Sequence, residues 1–504
     1  ENELTGDTKE YELMTKDVDG ISGTATFAAR KSGAALVTVM LDGTPDGGMH
    51  PGHIHFNSAA ESGGIAKTLT TLDGTTGMSV THIEALNDGT EIGYDGLLNF
   101  DGYINFHLSA DDLATLVAQG DIGANELTGD TKEYELMTKD VPGISGTATF
   151  AARKSGAALV TVMLNGTPDG GMHPGHIHLN SAAEGGGIAK TLTTLDGTTG
   201  MSVTHIEALN DGTEIGYEGL LDFDGYINFH LSADDLATLV AQGDIGANEL
   251  TGETKEYDLV TKDVPGISGT ATFAARKSGA ALVTVMLDGT PDGGMHPGHI
   301  HFNSAAETGG IAKTLTTLDG TTGMSVTHIE ALNDGTEIGY EGLLDFDGYI
   351  NFHLSADNLA TLVAQGDIGQ NELTGESMSY DLGTKDVPGI SGTATFEERL
   401  SGETLVTLDI EGTPVGGMHP AHIHAGAVAD APGDILITLA TVDGSLGMSQ
   451  THVAAYNAAD GTANGGAAIT YDELIGIDGY INVHLSATEL ATIVAQGNVG
   501  ANAQ

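Results

Sequence analysis

With 504 residues the chain is too long for a single core, and the usual size of a domain implies three to five. It carries 17 Lys and Arg against 70 Asp and Glu, a formal net charge of −53. Nucleic acid and anionic membrane surfaces are therefore poor partners, since both demand clustered cations, and the absence of cysteine removes disulfides, thiolate metal sites and cysteine nucleophiles.

The chain opens "ENELTGD", without an initiator Met or a basic leader, and reads as a mature secreted protein after signal removal. No run approaches the ~20 apolar residues of a membrane helix, so membrane insertion is not expected. "KEYELMTK", "SGTATFAA" and "AALVTVML" follow, with the alternation and β-branched content of strands and Gly-rich turns between them. "GHIHF", "IAKTLTTL", "MSVTHIEAL" and "DGYINFHL" read as further strands. A short helix is predicted in "LSADDLATLVAQG": Ser109 caps it, Asp112 completes a capping box, Leu113, Leu116 and Val117 form its apolar face, and Gly120 ends it.

The pattern then repeats. "NELTG" begins at Asn2, Asn125, Asn248 and Asn371, 123 residues apart each time. Four units are expected, at 1–124, 125–247, 248–370 and 371–504; the first three are nearly identical and the fourth is divergent and longer. Seven or eight short strands per unit favour an all-β chain of tandem antiparallel β-sandwich repeats with one short helix each. No Pro- or Ser-rich linker separates the units, which predicts a close-coupled array.

All twenty histidines fall in one recurring set of five. Unit one has His50, His53, His55, His82 and His107; unit two has His173, His176, His178, His205 and His230. Unit three has His296, His299, His301, His328 and His353; unit four has His419, His422, His424, His452 and His484. In "HIH" the two rings are i and i+2 on a strand and share a face, while the turn at Pro51–Gly52 can fold His50 towards them. Converging neutral imidazoles suit copper foremost, with zinc and nickel as alternatives; three or four ligands supported by another histidine fit as well as five. Met49, Met172, Met295 and Met418 directly precede the motif and are candidate accessory ligands. Carboxylates are spread through every unit as a solvated surface; calcium bridging is the sharper alternative, without any EF-hand spacing to support it. Against all of this stands a plainer expectation, histidines that simply hydrogen-bond within or on a sandwich.

At "SGTATF", "HPAHIHAG" and "GYINVHLS" followed by "IVAQGNVGAN", the fourth unit resembles the CHRD domain, first described in chordin and common in secreted bacterial proteins. The resemblance covers each whole repeat. It implies an immunoglobulin-like sandwich distantly similar to copper–zinc superoxide dismutase, and secretion, but no defined activity. Units one to three depart from the pattern with "HPGHIHFN" or "HPGHIHLN", where the family often has a small residue and then Gly after the HxH.

The junctions read like "QGDIGANELTGDTKEYEL"; the chain starts with the second half of that string and ends after "QGNVGANAQ". If "NELTG" completed the preceding sheet, Asn2, Glu3, Leu4, Thr5 and Gly6 would be a spare strand, and donor-strand exchange would join copies head to tail into an open filament. The expected function is thus an extracellular structural protein, self-polymerising, with a copper-type site per repeat. The alternatives are a superoxide dismutase-like or oxidase-like copper enzyme, and a metal-free secreted protein-binding array. Four copies of one centre, and no carboxylate or serine at a catalytic spacing, weigh against the enzyme.

Overall fold

The computed structural model describes residues 2–503. Two compact units divide the chain, 1–249 and 250–504, and each holds two of the sequence repeats. In the first repeat the elements are β1 (Leu4–Thr15), β2 (Ser22–Arg30), β3 (Ala35–Asp42), β4 (Met49–His50), β5 (Gly52–Phe56), β6 (Ile65–Thr68), β7 (Leu72–Asp73), β8 (Met78–Ile83), α1 (Tyr94–Leu97), β9 (Asp101–Ser109) and β10 (Asp112–Gly123). Their order in the sheet is β4-β7-β8-β3-β2-β1-β10-β9-β5-β6, and the second and third repeats follow the same order. In the fourth repeat Met418–Ala425 and Ile435–Asp443 each run on as one strand and the sheet closes into a barrel. No helix among the described residues is long and apolar enough to cross a membrane.

Alternation along the strands builds one apolar core per repeat. In the first repeat Leu13, Phe27, Val37, Val39, Ile54, Ile104, Phe106 and Leu97 fill it. Matching clusters fill the second, third and fourth repeats.

Two sequence expectations are corrected. The predicted helix at 108–120 is instead the turn from β9 into β10: Ser109 Oγ accepts hydrogen bonds from the backbone N–H groups of Asp111 and Asp112, and the chain continues as a strand. Spacings of three and four among Leu113, Leu116 and Val117 fit a helix, but here a bulge between Leu116 and Ala118 lets the strand keep Val117 and Ala118 buried. The one short helix of the repeat is α1, which ends in a backbone hydrogen bond from Leu98 to Tyr94.

The spare strand is the second correction. Leu4–Thr15 belongs to its own sheet: Leu4 pairs with Arg30, Thr8–Leu13 pair with β2, and Met14 and Thr15 pair with β10. In the last repeat Leu373–Thr384 pairs with its own Ser391–Arg399 and Ile493–Gly500, so no strand is missing there. Asn2, Glu3, Leu4, Thr5 and Gly6 are therefore the entry to the first sheet rather than a donor for another chain.

Asparagine at the junction does close the preceding repeat. Asn125 Nδ2 donates to the Asn57 carbonyl (3.1 Å) and to Asp101 Oδ1 (2.7 Å). Beside it Arg153 of the second repeat, its side chain fully buried, meets Asp121 Oδ2 at 2.8 Å and the Asn125 carbonyl. Arg399 repeats this between the third and fourth repeats, with Asp367 at 2.8 Å and the Asn371 carbonyl.

The drifted fourth repeat also reveals a size exchange. Gly52 lies opposite Phe106, and a β-carbon there would sit 2.3 Å from the ring. The fourth repeat has Ala421 opposite Val483. Gly52→Ala should therefore destabilise the first repeat by about 1–3 kcal/mol through overpacking, and adding Phe106→Val should recover most of it. Calorimetric unfolding of the single and double variants measures both; an equal loss in the two would refute the pairing.

Candidate metal centre

The odd-numbered residues of β9 face away from the core. Tyr103, Asn105 and His107 lie in a row there, while Ile104 and Phe106 are buried beneath. Beside them β5 sets His53 against Asn105 and His55 against Tyr103, with Ile54 turned into the core. Three imidazoles thus meet on the outer face of the sheet. One ligand atom from each of His53, His55 and His107 lies within 4.8 Å of the others, and His176/His178/His230, His299/His301/His353 and His422/His424/His484 form the same group.

The loop after β5 and the first residues of β10 fix which nitrogen of each ring is bare. His107 Nδ1 donates to the Leu113 carbonyl at 2.7 Å, and His55 Nδ1 donates to the Gly63 carbonyl at 2.8 Å. A neutral imidazole carries one proton, so Nε2 of both rings is left with its lone pair. His53 Nδ1 stands 3.1 Å from His107 Nε2, and His55 Nε2 stands 3.1 Å from Asn105 Oδ1. In the third and fourth repeats the corresponding atoms, His301 and His424 Nε2 with Asn351 and Asn482 Oδ1, are buried without a partner. Buried lone pairs facing one another call for a proton donor or a cation. An all-nitrogen set of this kind fits a borderline ion such as copper, zinc or nickel, and not calcium, which takes oxygen ligands. The carbonyls behind His55 and His107 hold the rings as supporting hydrogen bonds do in known metal sites.

The remaining sequence candidates fall elsewhere. His50 is buried beside the group rather than in it: its Nδ1–H donates to the His107 carbonyl at 3.1 Å, as His173, His296 and His419 do to His230, His353 and His484. It ties down the strand that carries His107, and Gly48 leaves room for its Nε2, which a β-carbon would approach to 2.7 Å.

His82, His205, His328 and His452 do not belong to the centre. On β8 Ser79, Thr81 and Ile83 point inward, so His82 points out. His205 lies 3.9 Å from Glu61 of the first repeat, and His452 lies 3.8 Å from Glu307 of the third, so these are junction residues. Met49, Met172, Met295 and Met418 are exposed, because each neighbours an inward-facing histidine on a strand and must point the other way. They are not ligands here.

Asn105 and Tyr103 were missed in the sequence. Tyr103 stacks on His55, centroids 4.8 Å apart at 16°. The signal was the two-residue step Tyr103–Asn105–His107 within "GYINFH". The departure after HxH also finds its cause: Asn57, Asn180 and Asn303 take the left-handed backbone (φ 65°, 64° and 64°) that Gly426 takes in the fourth repeat.

No protein-family profile matches the chain, and no curated protein matches it. Among solved structures it is matched to a chain described as "tetra-tandem repeat in extending region of large adhesion protein". Identity is 11%, coverage 93% of this chain and 96% of that one, and the TM-score 0.12, too low for anything to be transferred from it.

Burial, then the neighbouring His107 and His55, lowers the pKa of His53 from 6.5 to about 4; His176, His299 and His422 behave alike. As pH falls below about 6.5 the unfolded chain protonates at these positions, while the folded chain stays neutral until about 4. The metal-free protein should therefore lose stability progressively across that window, and the slope should shrink when all four are replaced by Gln. Melting temperatures against pH for the two proteins check this; identical slopes would contradict it.

Proposed function

We propose that the chain is an extracellular tandem array of CHRD-type sandwiches in which each repeat holds one copper ion on a three-histidine face, with a structural and metal-holding role. The observation that carries it is the recurrence of the same triad, with the same ring orientations, in the fourth repeat, where much of the surrounding sequence has changed. Copper is preferred because it binds nitrogen sites most tightly among the divalent first-row ions, zinc and nickel following. His53, His55 and His107 would supply the ligands, with His50, Gly63 and Leu113 holding them in place.

Association of arrays end to end is the larger-scale part of this function. With β1 occupied in its own sheet, contact between whole repeats takes the place of strand exchange in this proposal.

A second function has one feature in its favour. Three protein ligands leave a coordination position, as in catalytic rather than closed structural sites, and His53 and His422 lie at the edge of solvent. Superoxide turnover by the copper-loaded chain would distinguish a dismutase-like enzyme from a holding site.

Copper titration followed by elemental analysis should give four ions per chain. His107→Gln should remove one, and the equivalent changes at His230, His353 and His484 one more each. Retention of four ions in the quadruple variant, or fewer than one in the parent, would refute the assignment.

A further inference from the structure

Every methionine of the chain lies on its surface. The sequence has 14, and each is between 40% and 62% exposed, while other aliphatic and aromatic side chains fill the four cores. Methionine is ordinarily among the more buried residues, so core packing does not account for this distribution.

Most of them stand in one row per repeat. In the first repeat Met40 on β3 is directly opposite Met78 on β8, Met78 is opposite Asp73 on β7, and Asp73 is opposite Met49 on β4. Residues paired in this way share a face, and the buried Val39, Ser79, Leu72 and His50 beside them turn that face outward. The parity that turns Met49 away from the histidines thus turns it into this row. The second and third repeats have the same row, with Met163–Met201 and Met286–Met324 as the direct pairs. The fourth keeps Met418, Asp443 and Met448, although the nearby Val80 has become Gln450, and has Asp409 where Met40 stands.

Side chains directly opposite on adjacent strands have β-carbons roughly 5 Å apart. A thioether sits two bonds further out on a flexible stem, so two sulfurs close on one ion without backbone movement. Thioethers are soft, uncharged donors of the kind that selects Cu(I). Asp73 adds a negative charge beside them, which suits a cation; under an apolar docking partner the same carboxylate would be buried at a cost. We infer that the Met40–Met78 pair, flanked by Asp73 and Met49, is a second metal site in each of the first three repeats, one that takes Cu(I) and is separate from the histidine centre.

The test uses the full chain with ¹³C-methyl methionine and the changes His107→Gln, His230→Gln, His353→Gln and His484→Gln, which take the triads out of the titration. Cu(I) is added under nitrogen in competition with a chromophoric Cu(I) chelator. Three tightly held ions per chain are expected. The methyl resonances of Met40, Met49, Met78 and their counterparts in the second and third repeats should shift, while Met14, Met137 and Met378, which lie off the row, stay in place. Met40→Leu with Met78→Leu keeps the apolar surface and removes the sulfur; it should weaken binding at the first repeat roughly tenfold or more, leaving two tight ions. Melting temperatures verify folding, and the methyl readout serves equally in the parent chain should the histidine variant melt early. Uniform shifts at every methionine methyl, shifts at none, or three tight ions retained after the leucine changes would overturn the inference. None of these outcomes bears on the triads, whose own ions are counted by elemental analysis of the parent.

Discussion

The two-residue period of β5 and β9 is the constraint from which the rest follows. Ile54, Ile104 and Phe106 are held in the core, so His53, His55, Asn105 and His107 are forced onto the outer face in fixed register. A slip of one residue would bury the histidines in hydrocarbon and expose the core. The same apolar contacts that fold the repeat therefore set the spacing of the nitrogens, and ligand geometry comes with folding rather than from any separate device.

Position alone does not make a ligand; the proton has to be on the right nitrogen. Here the carbonyls of Gly63 and Leu113 take the Nδ1–H of His55 and His107, leaving Nε2 bare on both rings. Burial keeps His53 neutral well below the usual histidine range. The centre is thus prepared at the level of tautomer and charge as well as distance, and it is prepared identically where Phe106 has become Val483 and Gly52 has become Ala421.

Much of this was legible in the residues. Strand alternation located every long strand of the first repeat except β10, and HxH with the later "NFH" held the three histidines that come together, among the five named in each repeat. What failed was parity and context. Met49 next to His50, and His82 between Thr81 and Ile83, could each have been turned outward by the same alternation that placed His53 and His55 together. Leu113, Leu116 and Val117 satisfy both helical spacing and a bulged strand, and only pairing with β9 decides between them. The destination of "NELTG" is a tertiary fact as well: the asparagine closes one repeat and the leucine opens the next, and nothing in five residues marks that division.

The stretch 57–64 serves two masters. Its Gly63 carbonyl orients His55, while its Asn57 carbonyl accepts from Asn125 and its Ala59 N–H donates to Asp121, the acid that grips Arg153. The joint and the His55 ring are thus held by one short loop. By reciprocity, if stretching the joint weakens the hold on an ion, then an ion in place stiffens the joint by an equal free energy.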